Sequence, residues 1–150
     1  MTKFLLAVHV LAAIVAIGPV TVAASMFPPA ARRAAEAPDD VRAAGTLRLL
    51  HRICQVYALV GVVVPVFGVA TASSMHVLGS AWLITSMALT ALAAVVLAVL
   101  VLPRQSALVE SGGGTREATV RLAMFTGMFN LLWAAVTILM IVRPGSTTGA

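Results

Sequence analysis

Four long apolar stretches decide what this chain can fold into: about Phe4 to Phe27, Ile53 to Ala72, Leu78 to Leu102 and Val120 to Val142. A helix needs roughly 20 apolar residues to cross about 30 Å of hydrocarbon, and backbone in lipid has to satisfy its hydrogen bonds within its own segment. All four stretches reach that length. The reading is an all-α fold, an integral membrane four-helix bundle forming one domain over residues 1–150. Composition agrees, because 61% hydrophobic and only 10% charged residues leave too much apolar surface for a water-soluble domain to hide.

The charges are grouped in short stretches between the spans, so the net charge of +5 forms no basic face of the kind a nucleic acid requires. Their distribution predicts an orientation, since Lys and Arg in short flanks are retained on the cytoplasmic side. The first connection carries Arg32, Arg33, Arg42, Arg48 and Arg52, and the third carries Arg104, Arg116 and Arg121. Only Lys3 and Arg143 stand on the other side. Both termini and the Ser73-Ser74-Met75-His76 turn are therefore expected to face outward, with two cytoplasmic connections. The first apolar stretch is too long for a signal peptide and is read as a retained span, although Val22-Ala23-Ala24-Ser25 weakly resembles a cleavage site. Abundant Ala, and Arg in place of Lys, suggest a GC-rich bacterial genome and hence the bacterial inner membrane.

Local signals set the expected ends. Pro28-Pro29 and Pro103-Arg104 are expected to stop the first and third helices, and Arg143-Pro144-Gly145 the fourth, before a polar tail expected to be disordered. Pro38-Asp39-Asp40 reads as a helix start with an Asp N-cap. Arg48 and Arg52 then share a face at i,i+4, where they can contact anionic lipid or a cytoplasmic partner. Pro65, between Gly61 and Gly68, predicts a kink in the second span, and Gly18-Pro19 a disturbance in the first. Gly112-Gly113-Gly114 reads as a flexible hinge, not a nucleotide-binding motif.

Helices in lipid associate through small residues and a few interhelical hydrogen bonds. Ser86, Thr90, Ala94 and Ala98 recur every four residues in the third span, with Trp82 one turn earlier; Ala123, Gly127, Asn130 and Ala134 form a similar face in the fourth. Both stripes are expected to face the bundle interior, with Asn130 bonded to Thr90 or another neighbour. No Asp, Glu, Lys or Arg lies centrally in a span, which argues against a self-sufficient ion-coupled transporter.

Residues able to carry chemistry are few. Cys54 is the single cysteine, so there is no intramolecular disulfide, thiolate cluster or CxxC pair. No serine, histidine and carboxylate set shares one side of the membrane, and no catalytic residue is assigned. His9, about 9 Å into the first span, is the candidate cofactor ligand, for haem or a metal, beside a purely structural role. His51 lies at the opposite end of the bundle and cannot share a haem with His9. His76 and Met75, with Met87 further on, are a candidate soft copper(I) site.

The segments Phe4-Leu5-Leu6-Ala7-Val8-His9-Val10-Leu11-Ala12-Ala13 with Gly18-Pro19, Gly79-Ser80-Ala81-Trp82-Leu83, and Met140-Ile141-Val142-Arg143-Pro144 resemble a family of small bacterial integral membrane proteins of unknown function with four spans. His9 alone is also similar to a histidine near the start of the copper resistance D proteins and of the HemJ-type membrane protoporphyrinogen oxidase, a likeness that implies haem at His9. Small size, absent central charges and minimal extramembrane chain point to a non-enzymatic accessory or assembly subunit, partnered by another membrane protein or by its own copies. The alternatives are a haem-binding or copper-handling protein using His9, and an oligomeric transporter or channel component.

Overall fold

The computed structural model describes residues 1–146, so most of the polar tail, residues 147–150, lies outside the described residues. Every regular element of the described chain is a helix: α1 (Thr2–Glu36), α2 (Val41–Val60), α3 (Val63–Ser74), α4 (Ala81–Val95), a π-helical segment (Val96–Val101), α5 (Leu102–Glu110) and α6 (Arg116–Val142). Four continuous helical runs, Thr2–Glu36, Val41–Ser74, Ala81–Glu110 and Arg116–Val142, are long and apolar enough to cross a membrane. Their outer surface is hydrocarbon-like, with Leu59, Leu131 and Ile141 each more than 70% exposed. The protein is a multi-pass membrane helical bundle.

α1 is the centre of the packing, touching α2 and α3 on one side and α6 on another, while α4 and the π segment lie on α6 and α5 meets α2. The main core gathers Phe27, Leu47, Cys54, Ala93, Leu122 and Phe129 towards the Arg-rich end, and Ala72, Trp82 and Leu83 form a smaller core at the opposite end. There Arg143, the left-handed C-cap of α6 at φ 46°, lies 5.5 Å from the Trp82 ring.

Two expected helix ends are corrected. α1 runs through Pro28 and Pro29 to Glu36, because Phe27, Pro28, Ala31 and Ala34 are buried and that packing outweighs the lost N–H donors. The third run continues through Pro103 to Glu110 because the π turn comes first. Its wider ring, in which Leu102 N–H donates to the Leu97 carbonyl five residues back, relieves the clash a proline ring makes with the preceding turn.

Gly18-Pro19 leaves α1 an unbroken α-helix, but two other signals act as read. Asp40 caps α2, its carboxylate accepting from Arg42 N–H at 2.9 Å. The kink of the second span falls at Gly61–Val62, four residues before Pro65. Pro65 has no N–H for the Gly61 carbonyl, which accepts from Val64 N–H at 3.1 Å instead. The glycine triplet, by contrast, is no hinge: Gly113 is buried against α1, and Gly114 N–H donates to the Ala31 carbonyl at 3.4 Å. A Cβ on Gly113 would stand 2.7 Å from that same carbonyl, so absent side chains here permit close approach of backbones.

Candidate functional site

Polar side chains are scarce inside this bundle, and three groups of them hold spans together. The first is His9. It lies on the face of α1 turned to α3, and its Nδ1 is 2.9 Å from the Val64 carbonyl. A carbonyl only accepts, so Nδ1 carries the proton and a neutral ring keeps its lone pair on Nε2. Gly68 makes room for the ring, since a Cβ there would come within 2.9 Å of His9 Cε1. The half-buried ring makes no other hydrogen bond among the described residues. This is the tautomer that a metal-ligating imidazole adopts when its second nitrogen is held by a backbone carbonyl.

The other predicted ligands stand apart from it. His76 is exposed, in a left-handed turn at φ 58° beyond the end of α3, and Met75 caps that helix. Eight residues separate His76 from Gly68, a helical run of about 12 Å. Met87 is exposed on α4. No three His, Cys, Asp or Glu side chains are grouped to hold a metal ion among the described residues.

The second group brings together residues from the second and third spans. At the Arg-rich end His51 Nδ1 donates to Gln105 Oε1 at 3.0 Å, and Gln105 Nε2 donates to Cys54 Sγ at 3.6 Å. His51 also stands edge-on to Phe27, with ring centroids 6.4 Å apart. Gln105 and Cys54 are fully enclosed. His51 and Cys54, three apart on α2, offered half of this pattern. Gln105 was hidden because the proline before it marked a loop.

The third group links α6 to α1. Asn130 Nδ2 donates to Ser25 Oγ at 3.2 Å, while Thr90 bonds back to the Ser86 carbonyl at 2.8 Å within its own helix. Of the partners expected for Asn130, Thr90 or another neighbour, the structure has another neighbour, Ser25 on the first span. The small-residue stripes are also corrected. Ser86 is buried and Thr90 and Gly127 are half-buried, but Ala94, Ala98, Ala123 and Ala134 are exposed. A four-residue step overshoots one helical turn by about 40°, so a strict four-residue stripe winds off the packing face. The buried face of the third run instead follows Trp82, Ser86, Ala93, Leu97 and Val101. Arg48 and Arg52 are exposed on α2, Arg48 Nε donating to the Ala44 carbonyl at 3.4 Å.

Compared with known proteins, the chain matches no family model, no curated protein and no solved structure.

Proposed function

We propose that the protein is a non-enzymatic accessory or assembly subunit of a larger complex in the bacterial inner membrane, its termini outward, docking laterally on another membrane helix. The observation that carries this reading is the seam along α6. Ala123, Gly127, Asn130, Ala134 and Thr137 alternate spacings of four and three residues, the period of a left-handed helix pair. Within the chain, half-buried Asn130 bonds Ser25 of α1 at the edge of this face, while Ala123, Ala134 and Thr137 are exposed and a Cβ on Gly127 would meet nothing within 4 Å. Small residues that leave such a face uncovered allow a second backbone to approach closely, the main source of helix affinity in lipid. Ala94 and Ala98 add a smooth exposed strip on the third run.

The test is affinity purification of the tagged protein from its native membrane in mild detergent, with mass spectrometry of co-eluting proteins. The expected result is a partner, or further copies of the chain, in fixed ratio, lost in Gly127→Leu. The added Cβ meets nothing within 4 Å in the chain, and a circular-dichroism spectrum unchanged from wild type is expected to accompany the loss of partner. A wild-type protein that elutes as a monomer, without a partner, and acts on a small molecule would overturn the reading.

The His9 tautomer favours a second reading, a haem-binding or copper-handling membrane protein with Nε2 as ligand. A haem band in the reduced-minus-oxidised spectrum, or bound copper, absent in His9→Ala, is the expected signature. A colourless, metal-free wild-type preparation removes this reading.

A further inference from the structure

We infer that the cleft between α5 and the start of α6 binds the phosphate of a phospholipid headgroup, with Arg104 and Arg121 as its cationic contacts. The cleft has a volume of about 270 Å³ and is lined by Arg104 and Leu108 on one wall and by Thr115, Glu117, Ala118 and Arg121 on the other.

Arg104 is set in place before any ligand arrives. Its guanidinium lies 4.5 Å from the Phe125 ring centroid on α6, and Nη1 donates to the Leu100 carbonyl at 3.0 Å. That carbonyl lies one turn back on the same run, in the π segment that precedes Pro103. The group is half-buried, yet no carboxylate lies within ion-pair distance of it among the described residues. A partly desolvated guanidinium with unused donors in a fixed plane matches the geometry of a phosphate. Arg121 supplies the second positive charge. Its 3.3 Å pair with Glu117 is solvent-exposed, the Glu117 side chain at 84%, and therefore weak enough to yield to a stronger anion. Thr115 caps α6 through Oγ1 and Ala118 N–H, placing the positive end of that helix at the same opening.

The position selects a lipid over a soluble ion. Arg104 stands two residues beyond the apolar stretch that ends at Leu102, at the depth of the headgroup layer. On α6, Met124, Met128 and Leu131 continue the Arg121 face into the bilayer at helical spacing, and all three are exposed. They offer an apolar path for acyl chains directly below the phosphate.

The experiment reconstitutes wild type, Arg104→Gln, Arg121→Gln and Arg42→Gln, the last an exposed arginine outside the cleft, into nanodiscs of phosphatidylglycerol mixed with a phosphate-free galactolipid, then releases each for native mass spectrometry. Wild type and Arg42→Gln are expected to retain a phosphatidylglycerol molecule, and Arg104→Gln and Arg121→Gln about tenfold less of it. Arg121 is exposed, so its replacement leaves the packing intact and keeps the test independent of folding. Equal retention by all four proteins overturns the inference. In a second arm inorganic phosphate is titrated into the wild-type sample. Lipid that stays bound supports a headgroup site, whereas inorganic phosphate that displaces it shows a site for the free ion and overturns the lipid assignment.

Discussion

The His9 imidazole occupies the space where Gly68 has no side chain, and from there it donates to the carbonyl of Val64 at 2.9 Å. The first and second spans are locked in register by this pair. Gly68→Ala should push the ring away and break the hydrogen bond, at a cost of about 1–3 kcal/mol. In a His9→Ala background the same substitution should cost almost nothing. Thermal unfolding in detergent of the two single variants and the double variant measures the coupling; additive effects would contradict it.

Gln105 joins His51 and Cys54 inside the Arg-rich end of the bundle. Gln105→Leu keeps the volume but leaves the His51 Nδ1–H without an acceptor, and should destabilise by about 1–3 kcal/mol. Cys54, fully enclosed in the native protein, should then react faster with a maleimide. Unchanged labelling kinetics would show that the network does not seal this region.

The Asn130–Ser25 bond is an interhelical hydrogen bond in lipid, where such bonds contribute on average about 0.6 kcal/mol. Asn130→Ala and Ser25→Ala should each cost about that much, and the double variant no more than the larger of the two. A double-mutant cycle in detergent reads the result directly.

Gly113, at φ 133°, lies where its added Cβ would be 2.6 Å from the Ala35 backbone nitrogen. Gly113→Ala should lift the third connection off α1 and expose it to protease, with a loss of stability of at least about 1–3 kcal/mol. Gly112→Ala, also at positive φ but facing open space, should pay only the smaller left-handed penalty of about 1 kcal/mol. Limited proteolysis of the two variants side by side separates steric contact from backbone strain.

The same connection tests orientation. In a Cys54→Ala background, Ser73→Cys should react with an impermeant maleimide on intact cells, and Ser111→Cys only after the membrane is opened. The reverse pattern would invert the assigned topology.

The four-helix membrane architecture was legible because it depends on apolar length, which lipid enforces segment by segment. Cap and kink were legible for a similar reason: Asp40 and Pro65 act on their own helix. What escaped was tertiary. Pro28, Pro29 and Pro103 read as stops, yet packing around Phe27 and the π turn before Pro103 carry both helices onward. The partner of Asn130 is 105 positions away, beyond the reach of any local pattern. The alanine stripes failed for a geometric reason, because drift around the helix axis takes Ala94 and Ala98 off the packing face. His9 was recognisable from its depth alone, whereas its tautomer needed the Val64 carbonyl to be located.

The passage of α1 through its paired prolines gives the molecule a stalk. Its 35 residues measure about 52 Å along the axis, against about 30 Å of hydrocarbon. Beyond the apolar stretch that ends at Phe27, roughly the last quarter of the rod therefore continues past the bilayer's oily interior and carries Arg32 and Arg33 with it. Because Gly113 is seated on that rod against Ala31 and Ala35, the stalk is buttressed, and both arginines are held at a fixed height beyond the apolar span.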